Sequence, residues 1–343
     1  SSTRGVSQGA YNGAQTGVCD FLTIASQGNM INYGDLSVAR ISIGGTSNSV
    51  RAVLMGGQNT SGSAVNTIDF GIISNGGTWT DFGDCTAVKG AKTVQVSDSH
   101  GGLTEGYQGT RIAPIPQGGG AGQRAIYSTG SNPGKTTNME FIQINTLSNT
   151  IDFGDMTLAR YGGAPSSNST RGLTGGGYDP GDSASNVIDY IEISSLGNGA
   201  DFGNLTVSRF NIAGGVSSDT RGVFGTGSTP SLSNTLDYVT IATIGNATDF
   251  GDLSTSRSQT PGTQSNTRGI FAGSDSPSKT DVIDYITIGS AGNATDFGNL
   301  TVARGRAMCA SSTTRGVTAG GSGSPADSNV IDYVTIASTG NAT

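Results

Sequence analysis

Seven near-copies of one phrase dominate this chain. An Arg-Gly or Arg-Ala pair recurs at Arg4, Arg51, Arg124, Arg171, Arg221, Arg268 and Arg315. The steps between these markers are 47, 73, 47, 50, 47 and 47 residues. A β-branched run follows each marker, from DFLTI at Asp20 through IDYIEI at Ile188 to IDYVTI at Ile331. Within a copy, short apolar segments alternate with clusters of Gly, Ser, Asn and Pro, which is turn chemistry. The fifth copy spells out four of them: NIAGGVSSD from Asn211, TRGVFGTG from Thr220, TLDYVTIA from Thr235 and ATDFGDL from Ala247. No 3.6-residue periodicity appears, so almost no helix is expected. Four-stranded repeats of this length predict propeller blades, and seven copies fall in the usual range of about 4–8. The expected fold is all-β, a single seven-bladed β-propeller over residues 1–343 with blades of about 47 residues.

Composition narrows the function. Charged residues make up 13% of the chain, which argues against disorder driven by charge. The net charge is −7 and no basic stripe is visible, so no nucleic-acid partner is expected. No apolar run approaches spanning length, so no membrane insertion is expected. Cys19, Cys85 and Cys309 lie far apart and form no CxxC; they read as small buried hydrophobes.

The order of features resembles kelch repeats. In that family an Arg precedes the first strand, an apolar strand ends in Gly-Gly, and an aromatic opens the fourth strand. Here Gly-Gly stands at Gly56-Gly57, Gly175-Gly176 and Gly320-Gly321. The kelch Trp is replaced by Tyr33, Phe82, Phe153, Phe202, Phe250 and Phe297. The wording TRGVFxxG…NVIDYITIASxGNATDFGDLTVAR is similar to repeats in virion proteins of tailed phages of marine bacteria, cyanobacterial hosts especially. That resemblance implies a non-enzymatic virion structural or adhesion protein, in a tail fibre, appendage or capsid decoration. It implies a place on the virion surface or outside the cell. The implied partners are other virion or fibre subunits and a host-surface glycan. A secreted bacterial lectin-like or surface-binding propeller is the alternative. A propeller enzyme acting on sugars is the third reading.

Most charges belong to the repeat. Seven basic residues are the markers, and six more close a VAR-like triplet: Arg40, Lys89, Arg160, Arg209, Arg257 and Arg304. Each marker has an acid 16 to 18 residues on, including Asp189, Asp237, Asp284 and Asp332. The expectation is a structural ring in which Arg171, Arg221, Arg268 and Arg315 pair with carboxylates of their own or the next blade. A second acidic set, Asp81, Asp152, Asp201, Asp249 and Asp296, precedes the triplet base by eight residues. Catalysis needs one asymmetric constellation, and a residue used seven times is a poor candidate. His100 is the only histidine, too few for a Ser-His-Asp set or a His-ligated metal. No catalytic residue, metal or cofactor is expected. Asn-Ala-Thr at Asn246, Asn293 and Asn341 matches a glycosylation sequon, but its recurrence reads as a tight hairpin.

Function on a repeat scaffold sits where copies disagree. One such place is the loop between second and third strands, as in GGYDPGDSASN from Gly176. Another is an insertion around residues 90–122, between Lys89 and Arg124. It holds His100, Tyr107 and Arg111, the candidate binding residues. Long loops of this kind are often functional.

The first copy starts without the small-residue first strand, and the seventh stops at GNAT, before DFG. Two expectations follow. A neighbouring subunit donates the missing strands, or, preferably, the 343 residues are a segment of a longer chain.

Overall fold

A computed structural model describes residues 3–8, 16–48, 50–88, 90, 94–97, 124–128, 130, 134–212, 215–229, 231–324 and 326–343. These residues form strands and turns and no helix. Seven antiparallel meanders stand side by side as the blades of a seven-bladed β-propeller. Blade four shows the plan. Ala164–Ser167, Arg171–Gly175, Val187–Glu192 and Ala200–Asn204 pair in sequence order. The first strands of adjacent blades touch one another, which makes them the inner strands of the ring.

Burial explains why these runs are strands. Ile188 and Asp189 are adjacent and both fully buried. Successive strand residues face opposite ways, so this third strand is covered on both sides. The covers are the neighbouring blades. Val53, Met55, Ile68 and Phe82 of blade two share one apolar cluster with Ala125, Ile142 and Ile144 of blade three. Each such side chain removed from water stabilises by about 1.5–3 kcal/mol.

A register shift interrupts the third strand one residue before or at its acid, between Ile188 and Asp189 in blade four. The same shift recurs in all six blades that have an outer strand. Opposite it lies the glycine of the DFG phrase, with φ of +142° at Gly203. An L side chain is strained there. A Cβ at Gly203 would also lie 2.5 Å from the Gly245 carbonyl of the next blade.

Blades one and seven have three described strands each. Blade one consists of Arg4–Gln8, Val18–Thr23 and Ile31–Asp35, without an inner strand. Blade seven consists of Met308–Ser311, Arg315–Ala319 and Ile331–Thr335, without an outer one. The ring nevertheless closes. Leu22 and Ile24 of blade one share a buried cluster with Val317 and Ala319 of blade seven.

The insertion divides. Val94–Ser97 is the inner strand of blade three and pairs with Arg124–Ser128. The extra length therefore falls between first and second strands. His100, Tyr107 and Arg111 lie outside the described residues.

Candidate functional site

The marker arginines do not meet the carboxylates expected for them. Strand register gives the reason. Arg171 lies opposite Glu192, while Asp189 lies opposite Thr174. That offset of three residues is about 10 Å and puts the two groups on opposite faces. Each marker guanidinium instead sits 4.2–4.8 Å from the centroid of the third-strand aromatic in its own blade. It also donates to the carbonyl of the isoleucine that directly follows the third strand of the next blade, at 2.7–3.1 Å. Arg171 thus reaches Ile241, Arg221 reaches Ile288 and Arg268 reaches Ile336. Arg315 reaches Ile24 and joins blade seven to blade one. Tyr190, Tyr238, Tyr285 and Tyr333 hold equivalent half-buried places under these arginines. Arg171 has one carboxylate partner, the exposed Glu192 of its own blade.

The ring carboxylates take the triplet bases. Arg160 pairs with Asp189 at 2.8 Å, Arg209 with Asp237 at 2.6 Å, Arg257 with Asp284 at 2.8 Å and Arg304 with Asp332 at 2.9 Å. Arg40 and Asp69 make a fifth pair at 3.0 Å. These side chains are 0–1% exposed. Burial lowers the Arg160, Arg209, Arg257 and Arg40 guanidiniums from their ordinary values, against the pull of the paired carboxylates. Burial also raises the Asp189 carboxyl, opposed by Arg160 and by the Thr157 hydroxyl. Breaking such a pair strands a charge in the interior. These pairs pin the connection entering each blade to that blade's third strand.

A third layer clasps outer strands to the next blade. The Gly245 N–H donates to the Phe202 carbonyl at 2.8 Å, and the Asn204 N–H donates to Asn246 Oδ1 at 3.0 Å. The same asparagine contact joins Asp252 to Asn293 and Asn299 to Asn341. The sequon-like asparagines thus sit in a tight turn, and their side chains work across the junction. The second acidic set is local. Asp81, Asp201, Asp249 and Asp296 each accept from the N–H of the DFG glycine two residues on.

One sector departs from this repetition. Tyr178, in the loop between second and third strands of blade four, stacks on Phe210 of the blade-five connection at 3.9 Å. Its other face meets Tyr161 at 4.8 Å, and the Lys135 ammonium lies 5.5 Å from the Tyr161 centroid. Lys135 also donates to Asp182 at 2.6 Å. All three rings are half-buried. Burial next to Tyr161, with Asp182 nearby, raises the Tyr178 phenol above its ordinary value. At the place after the triplet base, Tyr161 and Phe210 have Ile41, Ser258 and Gly305 as counterparts. That departure was visible in the sequence as aromatics at positions where other copies carry other side chains. Their assembly was not, because it needs the pairing of Tyr161 with Tyr178 across the blade end. Cys19 and Cys85 are buried and Cys309 is half-buried. No protein-family model matches this sequence, and no curated protein is similar to it.

Proposed function

We propose that this chain is a kelch-like propeller serving as a non-enzymatic virion structural or adhesion protein, in a tail fibre, appendage or capsid decoration. It acts on the virion surface or outside the cell. The observation that carries the reading is the contrast between repeated charges and one unrepeated patch. Five buried Arg–carboxylate pairs hold the scaffold and present equivalent environments, whereas acid–base chemistry needs groups with separated pKa values. The row Lys135, Tyr161, Tyr178 and Phe210 offers aromatic edges beside a cation, chemistry suited to contacts with protein or glycan. Its partners are then other virion or fibre subunits and a host-surface glycan. Paired glycines with positive φ after the second strand, as at Gly56–Gly57 and Gly320–Gly321, support the kelch-like reading. The similarity of the repeat wording to phage virion proteins favours the virion over a secreted lectin-like propeller. Mass spectrometry of purified particles tests it. Peptides of this chain are expected in stoichiometric amounts, and Tyr178→Ala is expected to impair assembly or adhesion. Glycan-array binding by a chain absent from particles would put the lectin-like alternative in its place.

A further inference from the structure

We propose that Asn75 is a self-modification site: the Gly76 nitrogen attacks the Asn75 side-chain amide, and the succinimide so formed opens to aspartate or isoaspartate. Two Asn-Gly pairs stand in equivalent turns, after the third strands of blades two and four, and the fold treats them differently.

The chain has three Asn-Gly pairs, at Asn12, Asn75 and Asn198. Asn12 lies outside the described residues. Glycine has no Cβ to shield its nitrogen, so such a pair closes into a succinimide more readily than other pairs. The fold then decides. The amide carbon must be open to attack, and the glycine N–H must be able to give up its proton.

At Asn198 both groups are held. The Gly199 N–H donates to the Asp155 carbonyl at 2.8 Å, and Asn198 Oδ1 accepts the Asp155 N–H at 3.0 Å. Asp155 ends the outer strand of blade three. Ring closure at Asn198 must therefore first undo the clasp between blades three and four.

At Asn75 neither group is held by a neighbouring strand. The side chain is exposed, and its one hydrogen bond among the described residues is accepted by Oδ1 from the Ser74 hydroxyl at 2.8 Å. That bond draws electrons from the amide carbon and favours attack on it. The Gly76 N–H donates to no carbonyl among the described residues. It faces the Tyr33 phenol oxygen, whose own proton goes to the Ile72 carbonyl. Burial raises that phenol above its ordinary value, so it stays protonated and meets the N–H only as a neutral acceptor. Gly76 and Gly77 have φ of +69° and +119°, and a Cβ added at Gly77 would meet nothing within 4 Å. Two successive glycines leave this turn free to rotate the nitrogen toward the amide carbon.

The reaction needs only solvent. The Gly76 nitrogen loses its proton to hydroxide and bonds to Asn75 Cγ. The Cγ–Nδ2 bond breaks and ammonia leaves. Water then opens the ring at either carbonyl. One product is aspartate; the other is isoaspartate, in which the main chain runs through Cβ and Cγ.

The product falls on a contact that joins two blades. Arg4 of blade one donates to the Ile73 and Ser74 carbonyls at 2.9 and 2.7 Å. The Gly77 N–H donates to the Tyr33 carbonyl, and a Cβ at Gly34 would lie 2.2 Å from the Gly77 carbonyl. Thr78 stands where the turns of five other blades carry the clasping asparagine. Isoaspartate lengthens the main chain just before Gly77 and displaces it from Gly34. The junction between blades one and two therefore loosens as the protein ages.

Ageing the folded 343-residue chain at mildly alkaline pH, followed by tryptic mass spectrometry, tests the site. Trypsin places Asn75 in peptide 52–89 and Asn198 in peptide 172–209. The first peptide should gain the mass of an amide-to-carboxylate exchange, located at Asn75, and faster as pH rises. Asn198 should convert about tenfold or more slowly, because its hydrogen bonds to Asp155 must open first. In urea the two rates should become alike. Ser74→Ala should slow Asn75 in the folded chain and not in urea. Asn75→Gln should remove the mass gain and the slow fall in melting temperature that ageing brings to the parent. Equal rates in the folded chain overturn the proposal. So does an Asn75 that stays intact while Asn198 converts, or a chain in which neither asparagine changes.

Discussion

Among the described residues, five junctions of this propeller carry three layers of contact, the junction between blades two and three carries two, and the junction between blades seven and one carries one. Between blades four and five, Arg171 reaches the Ile241 carbonyl, Arg209 is buried against Asp237, and Asn246 clasps the outer strand at Asn204. Between blades seven and one, the described residues show the first layer, Arg315 to Ile24 over a small apolar cluster. The comparison separates tasks that the repeat otherwise fuses. Marker arginine and buried isoleucine suffice to bring blades together. The triplet base and the outer strand add the grip. Because the closing junction keeps the first layer, the ring is closed.

The largest effect should separate Asp237 from Asp20. Asp237 is fully buried against Arg209, so Asp237→Asn strands a guanidinium and should cost about 3–5 kcal/mol. Asp20 has no such partner among the described residues, so Asp20→Asn should change stability by less than about 0.5 kcal/mol. Urea unfolding of both variants measures the gap. Equal losses would mean that the seventh junction has the buried layer after all.

Next comes an attempt to turn a full junction into a likeness of the open one. Gly203→Ala places a Cβ against the Gly245 carbonyl at a φ of +142°. The strain should cost about 1–3 kcal/mol. Hydrogen exchange should quicken along Ala200–Asn204, while the Arg171 contact keeps blades four and five together. Protection unchanged along that strand would show that the outer clasp contributes nothing.

Much of this architecture was legible in the sequence, and the parts that were not share a cause. Seven copies, four strands per copy and the absence of helical periodicity fixed the propeller, because period-2 burial and turn residues act locally. The incomplete first and last blades could be counted from the text. The partner of each arginine could not. A spacing of 16 to 18 residues links Arg221 to Asp237 along the chain, but strand register sets Asp237 opposite Phe224 and leaves Arg221 opposite Thr240. The true partner, Arg209, comes from the connection before the blade and is nearer to Asp237 only after folding. The inner strand Val94–Ser97 was hidden for another reason. It lies inside a segment whose unusual length drew attention to its polar residues and away from its short apolar alternation. The stack of Tyr161, Tyr178 and Phe210 joins two blades and so leaves no periodic trace.

The marker layer can be probed at both kinds of junction. Arg221→Ala removes a cation over Tyr238 and a bond to the Ile288 carbonyl, and should cost about 1–2 kcal/mol. Two further layers remain there, so exchange near blades five and six should change little. Arg315→Ala removes the same contacts where no further layer stands behind them among the described residues. Its loss should appear locally, as faster exchange in Val18–Thr23 and Ile331–Thr335 and earlier melting of those two blades. Fraying of equal extent in both variants would break the idea that one layer does the closing.

The smallest effect concerns the asparagine clasp. Asn246 is exposed at the tip of its turn, and its Oδ1 accepts one N–H from Asn204 at 3.0 Å. A bond of this kind, largely open to water, is worth about 0.5–1.5 kcal/mol net. Asn246→Ala should therefore lower stability by roughly that amount, because the Asn204 N–H loses its acceptor. Asn29→Ala should be silent, since the Asn29 amide meets no outer strand among the described residues. The comparison uses one residue type in one turn, with an outer-strand N–H against the Asn246 side chain and none against Asn29 among the described residues. Equal losses at the two positions, read by urea unfolding, would show that the clasp to the Asn204 N–H contributes nothing.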